Sequence, residues 1–136
     1  MFRPTIAVVN DEPTFRFLLS RFLTERGHDV LTESNEDSAM GTLVCRQPQA
    51  VVIEVSAESR FSVVRLVERM RANPATAFMP VIVCASDEQF HQRHTADLEL
   101  FGCRILGKPF DGDALLGAIG SLVPRTTASL SYAVSA

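Results

Sequence analysis

Short apolar runs alternate with longer segments of helical periodicity along almost the whole chain. The apolar runs have the length of β-strands and fall at residues 5–9, 28–32, 50–55, 80–85 and 104–106. The third run, AVVIEV, is apolar apart from Glu54, which is typical of a central parallel strand covered on both faces. Each run therefore predicts one strand of a parallel sheet.

The segments between these runs carry apolar residues at helical spacing. The first segment is predicted to be a helix, and its buried face is expected to carry Phe15, Leu18, Leu19, Phe22 and Leu23. Gly27 stands where this helix would end in a left-handed residue. Four more helices are predicted: one from residues 34–37 to Pro48, one over 63–73, one over 87–100, and one after Asp111 as its N-cap.

Five alternations of strand and helix predict one fold class. Parallel strands need crossover helices of one handedness, so the pattern indicates a doubly wound, five-stranded parallel sheet in three αβα layers, (βα)5. We expect a single domain over residues 1–123. Residues 124–136 are small and polar with few apolar positions, and are interpreted either as a flexible tail or as the start of a linker.

Composition excludes several classes of protein. Of the 136 residues 46% are hydrophobic and 21% charged, and the net charge of −3 leaves no basic stripe for direct nucleic-acid binding. No apolar run has the ~20 residues needed to cross a membrane, and the residues from Met1 to Pro4 do not predict a secretory signal. Cys45, Cys84 and Cys103 are expected to be buried, reduced thiols. These features predict a cytoplasmic protein.

Candidate chemistry lies where the strands end, because open α/β sheets place their sites beyond the carboxyl ends of the strands. The residues at these ends are Asn10, Asp11 and Glu12, then Glu54, Ala85 and Ser86, and finally Lys108 and Pro109. No Ser-His-Asp, Cys-His or GxGxxG arrangement occurs, so an enzyme is not expected.

Four segments in this order, VVNDEPTFR, PQAVVIEV, MPVIVCAS and LGKPF, resemble the marker segments of bacterial response-regulator receiver domains. The resemblance covers nearly all of residues 5–123 and implies a flavodoxin-like fold. In that family an acidic pair after the first strand holds Mg²⁺, and an aspartate after the third strand accepts a phosphoryl group. A Thr or Ser after the fourth strand binds an oxygen of that phosphoryl group, and a Lys-Pro pair follows the fifth strand. The metal ion and the lysine neutralise the negative charge of the phosphoryl group during its transfer.

Carried over by position, Asp11 matches the metal-binding acid and Lys108-Pro109 the Lys-Pro pair. Asn10 replaces the other acid, which implies that Mg²⁺ binding by Asp11 and Glu54 is weak or absent. Glu54 replaces the phosphoacceptor, and its extra methylene moves the carboxylate by about 1.5 Å. Ala85 replaces the hydroxyl residue, and alternation aims Ser86 at the other face.

Two more departures indicate a degenerate receiver. Ile105 replaces an aromatic residue that usually rotates with the switch, and Glu58-Ser59 replaces a common Pro-Gly pair. The resemblance then implies a protein-interaction module of a phosphorelay, with no required cofactor. Its partner would be a histidine kinase or a downstream effector bound through helix 4, strand 5 and helix 5, and a homodimer is also open. The alternatives are a phosphorylatable receiver with a tolerant site and the regulatory domain of a DNA-binding regulator.

Several side chains allow two interpretations. Glu54 facing Lys108 is either a mimic of the phosphorylated state or a structural ion pair, and the ion pair is favoured. His91, His94 and Asp97 are interpreted as a solvated helix face rather than a metal site. The same interpretation applies to Arg65, Arg69 and Arg71. Gly117 and Gly120 either admit a partner or only weaken the last helix.

Overall fold

A computed structural model describes residues 3–55, 61–85, 88–107 and 111–123, with backbone alone for residues 88–92. Strands and helices alternate throughout these segments. The strands are β1 (Thr5–Val9), β2 (Asp29–Glu33), β3 (Ala50–Val55), β4 (Val81–Ala85) and β5 (Arg104–Gly107). The helices are α1 (Pro13–Glu25), α2 (Glu36–Arg46), α3 (Val63–Ala72), α4 (Glu88–Leu100) and α5 (Gly112–Leu122).

The strands form one parallel sheet in the order β2-β1-β3-β4-β5. This confirms the predicted doubly wound, flavodoxin-like fold class. Strand limits shift by a residue: β2 begins at Asp29 rather than His28, and β5 extends to Gly107. Pro80 precedes β4 because it has no N–H for a ladder, although its carbonyl accepts from Val51 N at 2.9 Å.

Side-chain alternation along the strands divides the core into two layers. Ala7, Val51 and Ile53 point toward α2, α3 and α4, whereas Ile6 and Val52 point toward α1 and α5. All six residues of β3 are buried. The central strand is therefore covered on both faces, which is why its sequence is almost continuously apolar.

Two predicted helix ends are confirmed. Asp111 caps α5 by accepting a hydrogen bond from Ala114 N at 2.7 Å. Gly27 adopts φ +94° after α1, and His28 N donates to Leu23 O at 3.1 Å, as in a Schellman motif.

The burial of two residues differs from expectation. Leu18 is 57% exposed, because α1 buries Leu19 and Leu23, and Leu18 lies about 140° around the helix from Leu23. Cys45 is exposed on α2, whereas Cys84 and Cys103 are buried as predicted.

The arginines of α3 are not one solvated face. Arg71 is half-buried, and its guanidinium donates to Phe101 O and Met79 O at 2.7 Å each. It also donates to Ala77 O at 3.2 Å. Arg69 pairs with Glu36 at 2.5 Å and Asp37 at 2.8 Å. The prediction of a solvated face was wrong for Arg71, because the α3–β4 connection folds back and brings its carbonyls to that side chain.

Across the described ranges, no helix has the length and apolar character needed to cross a membrane.

Candidate functional site

The candidate site lies at the carboxyl ends of β1 and β3, where the strand order reverses. These two strands pair in parallel, with Val9 opposite Ile53, so the next residues, Asn10 and Glu54, emerge side by side. Asn10 is 1% exposed and Glu54 4% exposed. The topology thus brings together two of the residues singled out in the sequence.

The Asn10 amide is hydrogen bonded at both of its ends. Its Nδ2 donates to the carbonyl oxygen of Glu54 at 3.2 Å and to Oε2 of the Glu54 carboxylate. Its Oδ1 accepts from Glu12 N at 2.7 Å. An acceptor on one side and a donor on the other determine which way the amide points. Its N–H groups therefore face the crevice and its oxygen faces away.

The backbone of Asn10 is held as firmly as its side chain. Asn10 N donates to Glu33 O at 3.1 Å, and Asn10 O accepts from Nη1 of Arg16 at 2.8 Å. Sequence reasoning missed Arg16. A signal was available, because a cation in the first turn of a helix is unfavourable for the helix dipole and suggests a specific acceptor.

The two acids after Asn10 have different surroundings. Glu12 is exposed, and its carboxylate caps α1 by accepting from Thr14 N at 3.2 Å and Phe15 N at 2.7 Å. Asp11 is half-buried. Glu12 is thus committed to the helix cap, and Asp11 is the other acid that follows β1.

Compared with an acidic pair, this donor set offers one oxygen ligand fewer to a Mg²⁺ ion. Mg²⁺ binds oxygen ligands in a near-octahedral arrangement. Asn10 presents N–H groups to the crevice, and these occupy an oxygen of Glu54, one of the two acids expected to bind the metal. Within the described segments, no group of three or more His, Cys, Asp or Glu residues could hold a metal ion. This loss of a ligand follows from the direction of the Asn10 amide, which its partners Glu12 and Glu54 determine.

The end of β4 offers no hydroxyl at the predicted switch position. Ala85 is 1% exposed and lies opposite Val55 on one side and Gly107 on the other. Ile105 is half-buried and packs against the same apolar cluster as Ala85. An alanine at this point can pack, but it cannot bind a phosphoryl oxygen.

Several predicted site residues lie outside the described part of the chain, namely Glu58, Ser59, Ser86, Lys108 and Pro109, together with the side chain of His91. The pairing of Glu54 with Lys108 and the role of the His91-His94-Asp97 group therefore stay predictions.

The predicted partner face is described only in part. Gly117 and Gly120 are exposed on α5, and a Cβ added to either would meet no atom within 4 Å. The buried side of the helix carries Leu115, Ala118 and Ile119. The two glycines therefore do not serve packing within the described structure, and the use of this face by a partner stays a prediction.

Comparison with known proteins adds information on the fold. No protein-family model matches the sequence, and no curated protein matches it significantly. Solved structures do resemble it. The chemotaxis response regulator CheY4 of Vibrio cholerae superposes with a TM-score of 0.77 at 17% identity, covering 90% of this chain and 100% of that one. A response regulator receiver protein from Pseudomonas putida gives 0.76 at 24% identity, with coverages of 89% and 98%.

NtrX from Brucella abortus gives a TM-score of 0.75 at 24% identity and covers 98% of this chain. The present chain spans only 29% of that protein. The receiver domain of NtrX alone gives 0.73 at 24% identity, with coverages of 86% and 96%. The chain therefore has the fold of response-regulator receiver domains.

Proposed function

We propose that this chain is a degenerate receiver domain of two-component signalling that acts as a protein-interaction module and takes up no phosphoryl group. The receiver fold supports the first part of this proposal. The hydrogen bond from Asn10 to the Glu54 carboxylate is the observation that carries the second part. In this proposal the domain catalyses no reaction and needs no cofactor.

Phosphoryl transfer requires that the charge on the transferring group be neutralised, chiefly by a metal ion. The neutral amide of Asn10 brings no charge and points its donors at Glu54. The attacking carboxylate must also be aligned with the incoming phosphorus, and small displacements cost large factors in rate. Glu54 is one methylene longer than aspartate, and one of its oxygens is already engaged by Asn10. Both requirements therefore fail at the same pair of residues.

A receiver also has to report phosphorylation by changing its conformation. Ala85 has no hydroxyl with which to follow a bound phosphoryl group. We infer that the domain keeps one conformation and presents a constant surface to a histidine kinase or an effector. By resemblance, that surface is the one built from α4, β5 and α5. The cytoplasm is the location that this role implies.

Intact mass spectrometry of the full chain incubated with phosphoramidate and Mg²⁺ tests the proposal. We expect no acid-labile phosphoryl adduct. A stoichiometric gain in mass that maps to Glu54 would favour the alternative of a phosphorylatable receiver with a tolerant site. A phosphorylatable receiver domain treated in parallel shows that the phosphodonor is active.

A further inference from the structure

The last helix, α5, has a sequence that is poorly suited to a stable helix. It carries three glycines, Gly112, Gly117 and Gly120, in a length of 11 residues. Glycine in a helix lowers its stability relative to alanine, because the unfolded chain gains conformational freedom. The buried side of α5 packs on the apolar layer that it shares with α1. The order of α5 therefore depends on this packing more than on the helix itself.

Polar contacts add little to the attachment of α5. In the part of the chain that the structure describes, the side-chain hydrogen bond between α5 and another element is the one from Arg104 Nη1 to Ser121 Oγ, at 3.4 Å. The helix α3 is held differently. Arg69 ties it to Glu36 on α2, and Arg71 ties it to the connection between α4 and β5. Apolar packing thus has to hold α5 almost unaided.

This packing is very close at the first residue of α5. A Cβ added to Gly112 would lie 2.7 Å from Cε1 of Phe22 on α1 and still closer to its Cζ, so the ring occupies the space of a side chain. On the ring face, the guanidinium carbon of Arg26 lies 4.6 Å from the ring centroid, within the range of a cation–π contact. Glycine at position 112 is therefore what allows α5 to approach α1.

We infer that the contact between Phe22 and Gly112 anchors α5, and that α5 detaches as a unit when this contact is lost while the sheet stays folded. Local openings of this kind occur in elements that few contacts hold. The inference rests on the proposed function in one respect. Because α5 supplies part of the predicted partner face, only chains with α5 attached present that face, and a partner that binds α5 holds it in place.

Native-state hydrogen exchange of the full chain, followed by NMR, measures the opening of α5 and of the sheet separately. In wild type, the amides of residues 115–119 should open more often than those of β3. Phe22→Ala should raise the opening constant of α5 by about tenfold or more relative to that of β3. Val30→Ala is the control, because Val30 packs against the same apolar layer from the edge strand β2. This change should leave the ratio of the two opening constants unaltered.

Two glycines of the same helix provide a matched pair of substitutions. Gly112→Ala should increase the opening of α5 by about tenfold, because the new methyl group and the Phe22 ring cannot both fit. Gly117→Ala should decrease it by about two- to fivefold, because a Cβ there meets no atom within 4 Å. In a chain that already carries Phe22→Ala, Gly112→Ala should also decrease the opening, since the ring is gone.

Three results would each overturn the inference. One is that Gly112→Ala alone slows the opening of α5, as Gly117→Ala is expected to do. Another is that Gly112→Ala increases the opening even when Phe22 has been replaced. The third is that α5 and β3 open with the same constant in Phe22→Ala. A phosphoryl adduct on Glu54 would contradict the proposed function instead, and it would leave the anchor of α5 unaffected.

Discussion

The amide of Asn10 donates to both the backbone carbonyl and the side-chain carboxylate of Glu54, across the boundary between β1 and β3. Both residues are almost completely buried. The crevice at the switch point of the sheet is therefore closed by a neutral amide. The resemblance to receiver domains implies a second carboxylate at the position of Asn10, next to the phosphoacceptor.

Replacing Asn10 by aspartate should destabilise the protein in the absence of divalent cations. The change removes two donors to Glu54 and sets two carboxylates side by side, at a cost of about 2 kcal/mol in the free energy of unfolding. Added Mg²⁺ should restore part of this loss, because a cation bound by the acids would offset their mutual repulsion and would stabilise the folded state by binding to it. Urea unfolding in EDTA and in Mg²⁺ measures both effects.

Asn35→Asp is the matched control for this substitution. Asn35 is exposed and caps α2 by accepting from Ser38 N at 2.9 Å, a role that aspartate performs equally well. Its stability should change little and should not respond to Mg²⁺. If Asn10→Asp is as stable as wild type in EDTA, the amide contributes nothing to closing the crevice.

Two substitutions should repair phosphorylation. Glu54→Asp draws the carboxylate back toward the position of attack, and Asn10→Asp supplies the missing acid for Mg²⁺. Intact mass after treatment with phosphoramidate should show a Mg²⁺-dependent adduct on the double variant and none on wild type. Adding Ala85→Thr should produce a phosphorylation-dependent change in amide spectra near α4, damped by Ile105. A double variant that binds Mg²⁺ but never gains a phosphoryl group would show divergence beyond these residues.

We predict that Glu54 and Lys108 form an ion pair. A double-mutant cycle of Glu54→Gln and Lys108→Met, measured by urea unfolding, should give a coupling energy of about 1–3 kcal/mol, because Glu54 is 4% exposed and poorly screened. A cycle of Arg21→Met and Glu25→Gln, which breaks an exposed pair on α1, should give less than about 1 kcal/mol. Equal coupling in the two cycles would refute a buried pair.

Arg71 should contribute more to stability than its neighbours on α3. Arg71→Met leaves the carbonyls of Met79 and Phe101 without their donors, and we expect a loss of about 3 kcal/mol in the free energy of unfolding. Arg65→Met is the control, because its side chain is 74% exposed and pairs loosely with Glu36 at 3.4 Å. That change should cost less than about 1 kcal/mol. Losses of similar size would mean that solvent replaces the donors of Arg71.

The three thiols should differ in reactivity. At pH 8 one equivalent of a disulfide reagent should react rapidly with the native chain, at the exposed Cys45, and three equivalents should react in denaturant. Burial raises the pKa of Cys103 from 9.0 to about 11, although Arg71 nearby lowers it. Replacing Cys45 by serine should abolish the rapid reaction. Rapid labelling of Cys103 instead would contradict its burial.

The raised pKa of Cys103 also predicts a dependence of stability on pH. The folded state holds this proton more tightly than the unfolded state, so the contribution is complete below pH 9 and is lost as pH rises through about 11. Wild type should therefore lose stability faster than Cys103→Ala over this interval. Parallel curves for the two proteins would argue against the shift.

Local patterns were sufficient to predict the fold. The alternation of strands and helices, the cap at Asp111 and the turn at Gly27 all depend on periodicity or on backbone bonds between residues a few positions apart. The position of the crevice followed as well, because the strand ends determine where an open parallel sheet places its site. The sequence also placed Asn10 and Glu54 at adjoining strand ends, where they meet.

Only the tertiary structure determined which hydrogen bonds those residues form. Asn10 and Glu54 are 44 positions apart, and the direction of the amide depends on Glu12 on one side and Glu54 on the other. The sequence predicted a solvated side chain for Arg71, but in the folded protein Arg71 donates hydrogen bonds to carbonyl groups of the α3–β4 connection. Periodicity in the sequence shows which face of a helix is buried, but it does not show which distant group will be the hydrogen-bond partner of a given side chain. That choice is made only when the packed layers bring both partners into one low-dielectric space, where an unmatched donor or acceptor is costly.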